Sequence, residues 1–232
     1  MDSETTYIVL GASSGVFSKI VKNFSKKSDI YLIYNNNYPI RIKNSKKIRI
    51  NFNNLNELKK KLKKIKIQRK KIVLLNFASI KLDKLSFNVN NKNLKETFNI
   101  NTFAFLHIVQ SILPFMMKNK WGRIINFSST GGSKGEKGTL LYTSSKNATD
   151  SMVKVMSKEY AKFNITFNTI NLGNFNTGLF KKLSFEMRNK IKQNIPSKKT
   201  GDFKNIYNAI KFIIISEYVN GSTITIDGGY NI

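Results

Sequence analysis

Short apolar runs alternate with longer amphipathic ones along almost the whole chain, and few folds accommodate that alternation. The strand-like runs are residues 7–10, 30–34, 48–50, 72–75, 123–127, 166–172 and 223–227. Between them, apolar spacing predicts helices over 14–25, 55–65, 94–117 and 203–215, and one that holds Tyr142 and runs to about Phe163. Strands that are apolar along their length are covered on both faces, which argues for a parallel sheet between layers of helix. The expectation is one doubly wound α/β domain over residues 1–232 with a mostly parallel, seven-stranded sheet. No repeat, linker or shift in composition marks a second domain.

Composition excludes several chemistries. There is no cysteine, and His107 is the single histidine, so disulfides, thiolate sites, histidine metal clusters and a histidine-based triad are all excluded. No metal site is expected. The amino terminus leads almost directly into Tyr7 with no apolar signal core, and the longest uninterrupted apolar stretch, 212–215, is far shorter than a membrane span. A soluble, cytoplasmic protein is the expectation. The formal charge of +27 fits either an acidic partner or a bias toward lysine, asparagine, isoleucine and phenylalanine. Lysines are spread through nearly every segment, with one denser run over 59–71. That spread favours composition bias, and binding to nucleic acid is not expected.

Two stretches carry chemistry. The first strand runs into Gly11-Ala12-Ser13-Ser14-Gly15-Val16-Phe17, a glycine turn opening a helix. In such a turn, backbone N–H groups and a helix N-terminus can receive a pyrophosphate. The second stretch is Tyr142-Thr143-Ser144-Ser145-Lys146. Tyr142 and Lys146 lie one turn apart on one helix face, with Leu141, Ala148, Met152, Val155, Met156 and Tyr160 expected on its buried side. An ammonium near a phenol favours the phenolate, so the pair is expected to lower the tyrosine pKa and to move a proton to or from an alcohol oxygen.

Taken together these motifs resemble the classical, single-domain short-chain dehydrogenase/reductases, and the resemblance runs from Tyr7 to Asp227 in the family's order. Gly11 to Gly15 is similar to the family's cofactor loop, and Asn101 falls at its catalytic asparagine. Ser129, in Asn126-Phe127-Ser128-Ser129, stands thirteen residues before Tyr142, the family's usual interval. Tyr142 and Lys146 match its YxxxK motif, Gly173 and Thr177 its nicotinamide turn, and Asp227-Gly228-Gly229 its last strand. The closest pattern is that of the 3-oxoacyl-acyl-carrier-protein reductases. The resemblance implies a Rossmann-type fold, hydride transfer from a nicotinamide, and Tyr142 as the acid/base. It implies that Lys146 lowers the tyrosine pKa and binds ribose hydroxyls, that Ser129 bonds the substrate oxygen, and that Asn101 holds a relay water. Asn101 could equally brace a helix kink, and Ser129 could simply cap a turn.

The implied cofactor contacts are Gly11, Ser13, Ser14, Gly15, Val16, Asn35, Asn51, Phe52, Asn76, Ala78, Tyr142, Lys146, Gly173 and Thr177. Departures from the family cluster around them. Phe17 replaces a glycine, and Phe77 and Ser79 alter the Asn-Asn-Ala-Gly turn. Leu172 replaces a proline, and Asn51 an acid. A ring at Phe17 is expected to narrow the pyrophosphate pocket, so that Phe17→Gly would tighten the cofactor. Asn35-Asn36-Asn37 at the end of the second strand carries no acid to repel a 2′-phosphate and no adjacent arginine, the nearest being Arg41. NADP is therefore favoured over NAD. The segment at about 174–200, with Phe175, Phe180, Leu183, Phe185, Met187 and Ile191, is expected to form a substrate lid. A 3-oxoacyl and a sugar or nucleotide-sugar substrate both remain open, as does a carrier-linked one. The alternative is a non-catalytic binding or regulatory protein with an impaired cofactor pocket. The resemblance also implies a homo-oligomer, a tetramer before a dimer. Phe103, Phe105, Leu106, Ile108, Val109, Ile112 and Leu113 are expected to serve an interface as well as a core.

Overall fold

The computed structural model describes residues 4–24, 28–43, 45–62, 65, 67, 69–131 and 135–231. Seven parallel strands are ordered β3-β2-β1-β4-β5-β6-β7. They are β1 (Thr5–Leu10), β2 (Asp29–Tyr34), β3 (Ser45–Arg49), β4 (Lys71–Asn76), β5 (Gly122–Ser129), β6 (Ile165–Leu172) and β7 (Thr223–Ile226). The helices are α1 (Gly15–Ile20), α2 (Leu55–Leu62), α3 (Asn91–Phe98), α4 (Ala104–Asn119), α5 (Leu140–Tyr160), α6 (Gly178–Lys181), α7 (Phe185–Asn194) and α8 (Phe203–Ile215).

The period of two along a strand divides the apolar residues between two cores. Ile8, Leu10, Leu74 and Ile124 pack on one face with Phe105, Ile108, Val109 and Ile112 of α4. Tyr7, Val9, Val73, Leu75 and Ile125 pack on the other with Phe17 and Ile20 of α1 and Ile206 and Ile210 of α8. The central strands therefore carry apolar residues on both faces, with the polar ones gathered toward their ends. At the sheet's centre Leu10 pairs with both Ile33 and Asn76, so the chain leaves β1 toward one side and β4 lies on the other. A crevice opens beyond the carboxyl ends of strands at such a reversal.

Several elements differ from the sequence expectation. The first helix is only Gly15–Ile20, followed by a 3-10 turn over Val21–Asn23, and its expected end at Ser25 lies outside the described residues. The helix expected over 55–65 ends at Leu62, and Lys63, Lys64 and Lys66 of the lysine run lie outside the described residues. The helix expected over 94–117 is interrupted by a π-helical turn, Asn99–Phe103, between α3 and α4. By length and composition the run Asn91–Asn119 could cross a membrane, but 56% of its most apolar window is buried inside this fold, where it serves as a core helix. On α5, Val155 turns outward and Val153 fills the core instead.

Candidate active site

The turn after β1 is built to be tight. Gly11 has φ +76°, and a Cβ there would stand 2.4 Å from the Ala78 amide nitrogen, so only glycine fits. The Gly11 and Ala12 amides donate to Ile33 O at 2.9 and 3.0 Å, tying the turn to β2. Ser14 caps α1 by accepting from the Val16 amide at 3.2 Å, and the Ser13 hydroxyl donates to Asn37 O.

Tyr142 lies in the first turn of α5, half-buried, and Lys146 one turn further is 3% exposed. Lys146 Nζ donates to Phe127 O of β5 at 2.7 Å. The side chains of Ser129, at the end of β5, and Ser79, in the turn after β4, stand near enough to the Tyr142 phenol to draw its pKa down. Ser129 Oγ also accepts from the Gly131 amide at 3.3 Å. Asn101 sits in the π-helical turn and is fully buried. Its Oδ1 accepts from Ile80 N at 2.8 Å, and its Nδ2 donates to Ile80 O at 3.0 Å and Ser145 Oγ at 2.9 Å. Its own carbonyl accepts from Thr149 Oγ1 at 3.0 Å. The geometry is that of a brace joining the turn after β4, the helix interruption and α5.

The electrostatics correct one expectation. Burial pushes the Tyr142 phenol up from its ordinary value, more than Ser129 and Ser79 pull it down, and the charges of Asp150 and Asp83 raise it further. Lys146 does not supply the expected depression, because its ammonium is directed at Phe127 O. Burial instead lowers Lys146 itself from 10.5 to about 8, against an upward pull from Asp150.

A cavity of about 520 Å³ joins these parts. Ser14, Gly15 and Val16 line it together with Ser129, Tyr142 and Lys146 and with Gly173 and Thr177. Phe180, Leu183, Met187 and Ile191 from α6, α7 and the link between them close it with an apolar surface. Other residues nominated from sequence stand outside this wall. Asn76 is buried and donates to Asn126 Oδ1 at 2.8 Å while accepting from Ala78 N at 3.3 Å. Asn51 accepts from the Asn53 amide at 3.0 Å at the entry to α2, and the Phe52 ring is buried in the core. Asn35 lies past β2, its carbonyl accepting from Arg49 Nε at 3.2 Å. Gly173 also has a packing role, since a Cβ there would lie 2.5 Å from Asp227 Cβ.

Phe17 is a second correction. It is fully buried beneath α1, against Phe24 and Phe77 at centroid distances of 6.0 and 5.7 Å, and it does not line the cavity. Three residues escaped sequence reasoning. Arg49 reaches Asn35 only because β3 pairs with β2, with Tyr34 opposite Arg49. Ser79 was visible as a departure without a role. Asp150 follows Lys146 by four residues on one helix face, and that spacing was the available signal.

The wall suits a nicotinamide dinucleotide: a glycine turn and helix start, hydroxyls, a cation at Lys146, and no carboxylate at the end of β2. The family model described as enoyl-(acyl carrier protein) reductase matches residues 44–231. The 3-oxoacyl-[acyl-carrier-protein] reductase of Buchnera aphidicola subsp. Acyrthosiphon pisum is 28% identical over 235 residues, covering 97% of this chain and 96% of that protein. The corresponding reductase of Vibrio harveyi is 29% identical over 189 residues, 80% of this chain and 78% of that one. Among solved structures, ligand-free aldohexose dehydrogenase from Thermoplasma acidophilum superposes with a TM-score of 0.85 at 22% identity, covering 97% of this chain and 93% of that one. At that identity the likeness is one of fold.

Proposed function

The chain belongs to the short-chain dehydrogenase/reductase family, and from that premise we propose that it is an NADP(H)-dependent reductase of a carbonyl carried on an acyl chain. The observation that carries this reading is that Tyr142, Ser129 and Lys146 line one cavity together with the apolar Phe180, Leu183, Met187 and Ile191. A bound nicotinamide supplies hydride to the carbonyl carbon. The proton comes from Tyr142, whose raised pKa keeps the phenol protonated at neutral pH and so suits reduction more than alcohol oxidation. Ser129 donates to the developing alkoxide and stabilises its charge. Lys146 would hold the nicotinamide ribose, and Asn101 holds α5 against the turn after β4.

Gly11, Ser13, Ser14, Gly15 and Val16 would cradle the pyrophosphate, with Asn35 and Asn51 on the adenosine side and Gly173 and Thr177 at the nicotinamide, while the buried Phe52, Asn76 and Ala78 would brace the pocket from behind. Arg49 supplies the cation that the second strand lacks, which favours a 2′-phosphate and therefore NADP over NAD. The acyl class is supported by Phe180, Leu183, Met187 and Ile191, which offer few polar groups to a sugar. The names borne by the relatives point the same way. Phe17 is one of several departures that favour an impaired, non-catalytic protein, and its place in the core takes that one away from the pocket. The test is NADPH oxidation with a 3-oxoacyl thioester set against an aldose, alongside titrations of NADPH and NADH. Turnover of the thioester and tighter NADPH are expected, with Arg49→Ala narrowing the gap between the two nucleotides. Turnover of the aldose alone overturns the substrate class.

A further inference from the structure

Asp150 is a largely buried carboxylate that the reaction above does not use. It follows Lys146 by one turn of α5, so both side chains leave the same helix face toward β5. Asn126 Nδ2 donates to Asp150 Oδ1 at 2.8 Å and Ser128 Oγ to Oδ2 at 2.6 Å. Thr169 Oγ1 of β6 adds a longer bond to Oδ1, 3.3 Å. Lys146 donates to the carbonyl of Phe127, the residue between those two donors. One turn of α5 is thereby pinned to three consecutive residues of β5, the anion by the flanking side chains and the cation by the carbonyl.

The pinning extends past β5. An ionised carboxylate only accepts hydrogen bonds, so Asn126 must present its amide N–H to Asp150 and its oxygen to Asn76. Asn76 Nδ2 donates to that oxygen at 2.8 Å, which leaves Asn76 Oδ1 to accept from the Ala78 amide at 3.3 Å. The charge on Asp150 thus sets the orientation of two buried amides, up to the turn that faces Gly11.

We propose that Asp150 is a positioning residue for the reaction: as a carboxylate it keeps the buried Lys146 charged and holds α5 in register with β5 and the turn after β4. The proposal rests on the reading of Lys146 as the cation of the reductase site. On α5, Tyr142 and Asp150 neighbour Lys146. β5 presents the neutral Asn126, Ser128 and Ser129, β6 presents Thr169, and the π-helical turn presents Asn101. Lys81, Asp83 and Glu136 stand on the loops that bound the cavity. Of these, Asp150 is the charge that acts on Lys146, opposing the effect of burial. Its own carboxyl is pushed up by burial and drawn back by Ser128, Lys146, Asn126 and Thr169.

The test reads Lys146 directly, by NMR titration of protein carrying 13Cε-labelled lysine and no added nucleotide. The Lys146 signal is the one missing from Lys146→Arg. Its midpoint is expected near 8 in the parent protein and at lower pH in Asp150→Asn. The alkaline limb of carbonyl reduction should move in the same direction. A folded Asp150→Asn with an unchanged midpoint overturns the proposal, even in an active enzyme. A lowered midpoint in a protein that reduces no carbonyl leaves the pairing intact and removes the reductase assignment. If Asp150→Asn does not fold, the combined Asn126→Asp and Asp150→Asn variant moves the carboxylate across the same hydrogen bond. Recovered folding with a midpoint near 8 supports the proposal, and failure to recover either one overturns it.

Discussion

Phe77 and Phe127 lie face to face, their ring centroids 3.8 Å apart and their planes 15° from parallel. One ring comes from the turn after β4, the other from the β5 residue whose carbonyl receives Lys146. Both rings line the cavity, and Phe17 packs against Phe77 at a centroid distance of 5.7 Å. Departures that look scattered in sequence are therefore joined: Phe17 and Phe77 form, with Phe127, one aromatic cluster.

Phe17→Ala is accordingly expected to act on stability. Removing a fully buried phenylalanine ring costs about 3–5 kcal/mol, and glycine at the same place adds about 1 kcal/mol of helix propensity loss. Denaturant unfolding of the two variants checks this. Tighter NADPH binding in a Phe17→Gly protein of parental stability would return the ring to the pocket.

The parts of the molecule legible in sequence are those fixed by local pattern. Strand alternation with helices yielded the sheet, and the Tyr142 and Lys146 spacing yielded one wall of the cavity. What escaped depends on long-range pairing. Arg49 approaches Asn35 through strand register, and Phe17 takes its direction from a core shared with Phe24 and Phe77. The phenol's pKa failed for a related reason: sequence placed Lys146 near Tyr142 but could not show that its ammonium would point at Phe127 O. Burial then dominates both groups.

Lys146 should leave a mark on stability. Its folded pKa of about 8 lies below the ordinary 10.5. Below the lower value both states hold the proton, and burying the ammonium costs its full amount. Between the two values the unfolded chain binds more protons, so this group's contribution to stability rises with pH. The span is worth about 3 kcal/mol. Lys146→Met should lack this rise in urea melts taken across that window. Parallel pH curves for the two proteins would show that Lys146 is not held in this buried state.

A homotetramer is expected, resting on only part of the apolar run 103–113. Phe105, Ile108, Val109, Ile112 and Leu113 are buried within their own fold. Phe103, at the end of the π-helical turn, does face outward, and it is joined by Phe115 on α4 and Val155 on α5, with Phe212, Ile215 and Tyr218 at and beyond the end of α8 forming a second outward apolar group. Two separate faces of this kind suit two isologous contacts, and two such contacts close a tetramer. Light scattering at micromolar concentration tests it. Charged substitutions at Phe115 and Val155 should give dimers, and a monomeric parent protein overturns the expectation.

The phenol provides the sharpest test of the chemistry. Tyr142→Phe removes one hydroxyl from a half-buried ring, so fold and NADPH affinity should stay near parental values. Turnover should fall by at least about 100-fold, the ordinary loss for a general acid. The pH profile separates this role from simple packing. Because burial raises the phenol's pKa, the proton donor is present throughout the neutral range, and carbonyl reduction should not lose rate there through Tyr142. The first alkaline loss should come instead as Lys146 deprotonates around 8. Alcohol oxidation needs the phenolate and should keep rising beyond the ordinary tyrosine range, the reverse of what an ammonium-lowered phenol would give. Ser129→Ala removes a hydroxyl that favours the phenolate, so it should shift that rise to still higher pH while lowering turnover. If Tyr142→Phe retains parental turnover on a verified substrate, the proton is delivered by another group and the cavity wall has a different chemistry.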